Sequence, residues 1–338
     1  MNENRVQYID VVKGIAMICI ILGHLGDANI NRVVFTFHVP IFFFITGYFT
    51  NSERNITEFV KNKLRTLIVP YIVTCLLIVI LGTIDGWNKG NPFYALEYWS
   101  KASLYGAGSE HVDPFFIPSI GALWFLWATF WGDLFLRISL NFDKYLRMVF
   151  IVGIFLLSYY SRSIFWLPLS IQAGGCAALF MYIGWLLRSM KKIIKNVPQE
   201  IKCFGILFMA ATWIAFIKNF QSFWLVNGDM GRGIVDIIGC MCACIIVICI
   251  CKLIDTKLKL LSDFFAYFGR FSLLVLCVHI IELDLFDWWQ FAGKFVQQGM
   301  PESWQLSFII FVKITADLSI VYILSKISFV RKIYGIRV

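Results

Sequence analysis

Two histidines lie in apolar segments near the start of the chain, where an ionisable side chain is costly and is therefore a candidate functional group. His24 and His38 belong to residues 8–48, which contain two apolar segments joined by a short polar turn that we place near Asn31. Each histidine is seven residues from Asn31, so we expect both imidazoles at the same depth in a membrane. Lys13 precedes His24 by about three helical turns, which puts the two side chains on one face, roughly 16 Å apart along the axis. This pattern predicts a reaction site within membrane-spanning helices.

The composition defines the elements that must position these residues. Of 338 residues, 59% are hydrophobic and only 15% are charged, whereas a soluble domain carries about a quarter charged residues. The sequence therefore predicts an all-α, polytopic integral membrane protein, with residues 1–338 forming a single membrane domain. We find no cleavable signal sequence and expect the first span to remain as an anchor.

Apolar runs of roughly membrane-spanning length predict about ten transmembrane helices. Their boundaries are approximate because several runs are short or contain Pro and Gly, and Pro40 and Gly47 favour a kink in the second. The predicted spans cover residues 11–26, 33–50, 66–84, 119–139, 146–161, 170–190, 202–219, 233–254, 266–285 and 305–325.

The basic residues indicate how these helices are oriented. With the N-terminus inside, 20 Lys and Arg residues fall in cytoplasmic segments and 7 in external segments. Because cytoplasmic loops of membrane proteins carry an excess of Lys and Arg, we expect both termini in the cytoplasm. The net charge of +9 then reflects a basic surface beside anionic lipid, and we expect no nucleic acid as a partner.

The longest connection, residues 85–118, is predicted to lie outside and is rich in aromatic rings with scattered carboxylates. Such a surface suits sugar binding, but it is also typical of an interfacial aromatic belt. Nearly all of the ten cysteines fall in apolar runs and are interpreted as small buried hydrophobes. No metal site is expected.

Several motifs resemble the integral membrane acyltransferase-3 superfamily, and within it the fucose 4-O-acetylase-like branch most closely. The first are Y-I-D-x-x-K-G-I-A, L-G-H ending at His24, and F-H-x-P-x-F-F-F-I-T-G-Y. Lys13 stands where the superfamily commonly has Arg, and a lysine cannot form a bidentate fork with phosphate or carboxylate. The further matches are Leu64-Arg65 with Pro70-Tyr71, Leu123-Trp124-Phe125-Leu126, and Gly269-Arg270-Phe271-Ser272-Leu273 running to His279.

The resemblance implies an enzyme that transfers an acyl group, usually acetyl, from acyl-CoA to a hydroxyl of a cell-surface glycan or lipid-linked saccharide. A sugar hydroxyl needs a base to become a good nucleophile, and histidine suits that role near neutral pH. We therefore expect His24 to act as the base or transient acyl carrier, with His38 as its partner. Either histidine could instead have only a structural role.

The resemblance also suggests binding residues and a location. Lys13, Arg65 and Arg270 are expected to bind the CoA phosphates. Arg270 could equally be a basic anchor at the membrane surface, and for Arg65 the anchor is the favoured alternative. His279, Trp124 and Ser272 are expected to bind the substrate, and Ser272 shares a helix face with His279. The expected location is the plasma or inner membrane.

Other charged residues in the spans have simpler interpretations. Lys313 and Asp317, four residues apart, are expected to neutralise each other. Asp133 and Asp236 have no evident local partner, and either could orient a histidine or pair with a cation on another helix. The alternative function is a transporter or flippase of a lipid-linked saccharide. Such proteins commonly contain internal repeats, and we find none here.

Overall fold

The all-α prediction is confirmed. A computed structural model describes residues 6–50 and 55–336; within these residues it contains 17 α-helices and no strand. The first eight are α1 (Gln7–Gly23), α2 (Ala28–Val34), α3 (Pro40–Phe49), α4 (Ile56–Lys63), α5 (Val69–Asn88), α6 (Pro92–Tyr105), α7 (Trp124–Ser139) and α8 (Lys144–Ser161). The other nine are α9 (Ile171–Ser189), α10 (Lys191–Asn196), α11 (Gln199–Lys218), α12 (Ile234–Lys257), α13 (Lys259–Arg270), α14 (Ser272–Leu285), α15 (Trp288–Gln297), α16 (Gln305–Lys326) and α17 (Ser328–Ile333).

Six helical segments in the described residues are long and apolar enough to cross a membrane, and α13 with α14 form a seventh if this pair, bent by 71°, is one span. The predicted spans at residues 11–26, 33–50 and 119–139 correspond to helices of 17, 10 and 16 residues. The protein is therefore a multi-pass membrane protein, and the count of ten stays a prediction. So does the cytoplasmic position of both termini. Arg5, Arg54 and Arg337 of the charge count lie outside the described residues.

The second predicted span is divided rather than merely kinked. Helix α2 ends at Val34, a turn follows, and α3 begins at Pro40. Proline favours the first turn of a helix, where its missing N–H is not needed, so Pro40 starts a new helix. Asn31, which we placed in a polar turn, instead lies within α2, whose N-terminus is capped by Asp27.

Glycines allow the helices nearest the site to pack backbone against backbone. A Cβ atom at Gly14 of α1 would lie 1.9 Å from the carbonyl oxygen of Phe265 in α13, and one at Gly269 would lie 1.8 Å from that of Asp10. The contact between α3 and α9 is similar, since a Cβ at Gly47 would lie 1.8 Å from the Met181 carbonyl oxygen. Small residues permit such close approach between membrane helices. These contacts fix α1 and α3, the helices adjoining His24 and His38.

Two buried carboxylates find cationic partners. Asp133 of α7 is 2.7 Å from the Lys63 ammonium and accepts a hydrogen bond from Thr50. Of the two interpretations left open for Asp133, the structure therefore shows the pairing with a cation on another helix. Asp236 is 2.6 Å from the Arg232 guanidinium, four residues earlier. The expectation that Asp236 lacks a local partner was therefore wrong, because Arg232 precedes α12 on a loop that folds back over its first turn.

The cysteine prediction agrees with the structure. All ten cysteines are free, and most are buried. Only Cys203 is exposed. The thiols therefore behave mainly as small apolar groups in the helix contacts.

Candidate active site

Both candidate catalytic histidines open onto one cavity. The cavity has a volume of about 390 Å³, and its walls come from the end of α1, residues 31–40, the start of α7 and residues 223–226. His24, His38 and Trp124 all contribute to its lining. The structure therefore brings together three of the residues that the sequence suggested for the reaction.

His24 is placed by the end of α1. It is the C-terminal cap of this helix, and its Nδ1 lies 2.8 Å from the carbonyl oxygen of Ile20. The last carbonyls of a helix lack intrahelical partners, so the imidazole satisfies one of them. A carbonyl oxygen can only accept a hydrogen bond, so Nδ1 carries the proton. Nε2 of the neutral ring is then left with the lone pair, as a general base requires.

His38 is held in the same way. Its Nδ1 lies 2.7 Å from the carbonyl oxygen of Val34, just beyond the end of α2, so its Nε2 also keeps the lone pair. The ring stacks on Phe35 with centroids 4.8 Å apart. His38 is only 7% exposed, whereas His24 is exposed. His24 is therefore the more accessible of the two bases.

His279 approaches His24 from α14. Its Nε2 lies 3.5 Å from Nδ1 of His24, and the two rings meet edge to face with centroids 5.2 Å apart. His279 is fully buried and is not part of the cavity lining. The structure thus places it behind His24, and direct substrate contact, the role we expected for it, stays a prediction.

A buried group of charged residues surrounds His279. Nδ1 of His279 lies 2.9 Å from Oε1 of Glu282, and the Lys313 ammonium lies 2.9 Å from the same oxygen. Trp288 donates a hydrogen bond to the other oxygen of Glu282. Asp317 lies 3.7 Å from Nδ1 of His279, and within the described residues its carboxylate oxygens make no hydrogen bond of ordinary length. The predicted Lys313–Asp317 ion pair was therefore wrong, because the ammonium is held by Glu282 on the neighbouring helix.

Glu282 is a candidate site residue that the sequence analysis missed. It follows His279 by three residues, so the two side chains share a face of α14. That spacing is the signal that could have identified it. Other missed residues line the cavity, among them Asn31, Phe35, Ser109 and Trp224. Their positions depend on how distant loops meet, which no local pattern reveals.

Three of these groups resemble a set of metal ligands. Ligand atoms of His279, Glu282 and Asp317 all lie within 4.8 Å of one another. The Lys313 ammonium, however, already contacts Glu282 and would repel a metal cation. We assign no metal to this cluster, and the absence of a metal site stays a prediction.

Four other predicted site residues lie away from the cavity. Lys13 and Arg270 adjoin Gly14 and Gly269, at the close contact of α1 with α13. Arg65 is exposed in a short π-helix. Lys13, Arg65, Arg270 and Ser272 do not line the cavity, and Ser272 instead begins α14 at the bend with α13. Lys13 and Arg270 are thus chain neighbours of glycines in one helix contact, and Ser272 does not reach the cavity that the histidines line.

The helical membrane fold and the histidine-lined cavity define a class, a multi-pass membrane protein with a candidate acid–base site. A profile of the family described as "Acyltransferase domain" matches residues 6–322. The chain belongs to this acyltransferase family.

Two curated relatives are nodulation proteins. The nodulation protein NolL of Mesorhizobium japonicum is 24% identical over 158 residues, 42% of this chain and 38% of the relative. NolL of Sinorhizobium fredii is 28% identical over 141 residues, 37% of this chain and 34% of the relative. The matches thus span little more than a third of these relatives. No solved structure matches the chain. The narrower resemblance to the fucose 4-O-acetylase-like branch stays a prediction.

Proposed function

We propose that this membrane acyltransferase moves an acetyl group from acetyl-CoA to a hydroxyl of a cell-surface glycan or lipid-linked saccharide. The observation that carries the proposal is the placement of His24 on the cavity, with Nδ1 bonded to the Ile20 carbonyl. This arrangement gives an accessible base whose lone pair is on Nε2, the nitrogen not engaged by the protein backbone.

The reaction follows from that geometry. Nε2 of His24 removes the proton of the acceptor hydroxyl as its oxygen attacks the thioester carbonyl. The tetrahedral intermediate collapses with cleavage of the C–S bond, and the proton passes from the imidazolium to the departing thiolate. The products are an O-acetyl ester and CoA. His38, a second base on the same cavity, is positioned to take part in the proton transfers.

The donor is proposed to approach from the α1–α13 contact. Lys13 and Arg270 lie beside Gly14 and Gly269 at that contact, and Lys13 is about 16 Å along α1 from His24. Basic side chains form charge-assisted hydrogen bonds with phosphate. Acetyl-CoA has phosphates at one end and its thioester at the other end of a long arm, so it fits the separation between Lys13 and His24. Arg65 is a further candidate phosphate contact.

The acceptor is proposed to occupy the cavity itself. Phe35, Trp124 and Trp224 present aromatic surface, while Asn31 and Ser109 supply polar groups. A mainly apolar pocket with a few polar groups fixes the orientation of a small ligand, and the aromatic surface suits the apolar face of a sugar ring. We place this reaction in the plasma or inner membrane.

The test compares cells with and without the gene. Mass spectrometry of their surface polysaccharides and lipid-linked saccharides should show an acetyl mass that disappears with the gene and returns with the wild-type protein. Complementation with His24→Gln should not restore it. If saccharides instead lose abundance at the surface without losing an acetyl mass, the proposal is wrong and the flippase alternative gains support.

A further inference from the structure

We propose that His279 and Glu282 are positioning residues for His24, held in place from α16 by Lys313 and Asp317. This inference rests on the proposed function, because it assigns the supporting groups of the same base. None of the four residues lines the cavity. They act on the reaction through the ring of His24.

The directions of the hydrogen bonds define the arrangement. Nδ1 of His279 lies 2.9 Å from the Glu282 carboxylate, so this nitrogen donates and the lone pair of a neutral ring is on Nε2. That lone pair faces the protonated Nδ1 of His24 at 3.5 Å. The His24 proton therefore lies between two acceptors, the Ile20 carbonyl and His279. If either histidine carried its proton on the other ring nitrogen, two donors or two acceptors would be in contact.

The contacts of the cluster fix the orientation of the His279 ring. Glu282 contacts both Nδ1 of His279 and the Lys313 ammonium, each at 2.9 Å, and Asp317 lies 3.7 Å from the same Nδ1. The two carboxylates therefore hold Nδ1 of His279 on their side of the ring and leave its Nε2 directed towards His24.

The second histidine has no equivalent support. The His38 ring bonds to the Val34 carbonyl and stacks on Phe35, and no carboxylate in residues 6–50 or 55–336 is bonded to it. The two cavity histidines therefore differ in the groups behind them. His24 is therefore the base, and residues of α14 and α16 hold its ring in position.

The first test is Glu282→Gln in purified protein in nanodiscs. Misorienting a triad histidine can lower kcat by about ten thousandfold. The expected loss here is smaller, roughly ten- to a thousandfold, because the Ile20 carbonyl still holds Nδ1 of His24. KM for acetyl-CoA should change by less than about twofold, since Glu282 does not lie on the cavity. Asp236→Asn is the matched control, since it also converts a buried, paired carboxylate to an amide, and it should keep wild-type kcat.

Glu282→Gln leaves the Lys313 ammonium without its carboxylate partner, so this variant could fail to fold. The double variant Glu282→Gln/Lys313→Met removes both charges, so it tests the role of Glu282 without leaving an unpaired ammonium. Glu282→Asp retains the carboxylate and should recover part of the lost kcat. A merely structural role predicts loss of thermal stability in these variants without this split between kcat and KM.

A spectroscopic measurement tests the contact without activity. The chain has four histidines, so protein labelled with ¹⁵N-histidine gives few ring signals, and the one lost in His24→Gln belongs to His24. We expect that signal to report a protonated Nδ1 in the wild type and to move in Glu282→Gln but not in Asp236→Asn.

The outcomes separate the two proposals. An active wild-type protein, with normal kcat and an unmoved His24 signal in folded Glu282→Gln, overturns the positioning inference alone. A wild-type protein that does not transfer acetyl from acetyl-CoA to any saccharide overturns the proposed function, and the catalytic role of the cluster with it.

Discussion

At the residue scale, His24 and His38 illustrate how a helix end selects a tautomer. Each ring bonds through Nδ1 to the carbonyl oxygen four residues earlier. The Ile20 carbonyl lies in the last turn of α1, where helical partners are missing, whereas the Val34 carbonyl also accepts the backbone N–H groups of Phe37 and His38. In both rings the bond leaves Nε2 with the lone pair, the nitrogen that can accept a proton.

The shared cavity predicts that the two histidines depend on each other. His38→Gln should lower acyl transfer strongly if His38 takes part in the proton transfers, and His24→Gln/His38→Gln should be little worse than the worse single variant. Groups that act as one unit show such non-additive losses. Rates from purified variants of equal thermal stability provide the measurement. Losses that multiply in the double variant would show that the histidines act independently.

The buried Lys63–Asp133 pair predicts a stability effect. Removing one member of a buried pair leaves an uncompensated charge and costs about 3–5 kcal/mol, so Lys63→Met should destabilise towards the lower end of that range because Lys63 is partly exposed. Lys63→Met/Asp133→Leu should recover much of the loss. Unfolding in a defined detergent measures both. Equal stability of Lys63→Met and the wild type would mean that the pair contributes nothing.

At the element scale, the glycine contacts explain how short helices carry the site. Helices α1 and α3 have only 17 and 10 residues, and they pack on α13 and α9 through Gly14 and Gly47. Such close contact increases the packing interactions available to each residue. The positions of His24 and His38 therefore depend on Gly14 and Gly47, where a larger side chain would separate the helices.

Gly47→Ala tests this packing. Its Cβ would lie 1.8 Å from the Met181 carbonyl oxygen, so the helices must move apart, at a cost of roughly 1–3 kcal/mol. Gly205→Ala in α11 is the matched control because nothing lies within 4 Å of its Cβ. Alanine is the better helix former, so the control should retain or slightly gain stability. Similar thermal unfolding of both variants would contradict the packing account.

The sequence predicted the helical fold and singled out two histidines that the structure places on one cavity, because hydrophobic runs and ionisable groups within them are local signals. It did not predict the break before α3, where Pro40 starts a helix inside an apolar run. It also paired Lys313 with Asp317 by spacing, whereas Glu282 of α14 holds the ammonium. Such contacts between helices depend on tertiary packing. A pattern within one helix cannot report them.

At the scale of the whole molecule, the basic residues predict how the protein lies in the membrane. The excess of 20 over 7 on one side favours a cytoplasmic surface that includes the end of α9 and an external surface that includes α6. This orientation places Lys13 and Arg270 nearer the cytoplasm, where acyl-CoA is expected. It places the histidine cavity towards the outer half.

Labelling of introduced cysteines tests that orientation. Lys101→Cys and Ser189→Cys change exposed positions in α6 and α9, and a Cys203→Ser background removes the exposed native thiol. An impermeant reagent should label Lys101→Cys in intact cells and Ser189→Cys only after permeabilisation. The opposite pattern would reverse the predicted topology.

The most direct measurement of the central claim is acetyl transfer from acetyl-CoA by purified His24→Gln in nanodiscs, with the acceptor identified by mass spectrometry. Glutamine keeps a hydrogen-bonding side chain but cannot serve as the base. General-base catalysis contributes about a hundred- to ten-thousandfold, so we predict a loss of at least about a hundredfold with wild-type thermal stability. A stable His24→Gln protein that keeps more than about a tenth of the wild-type rate would contradict the assignment of His24 as the base.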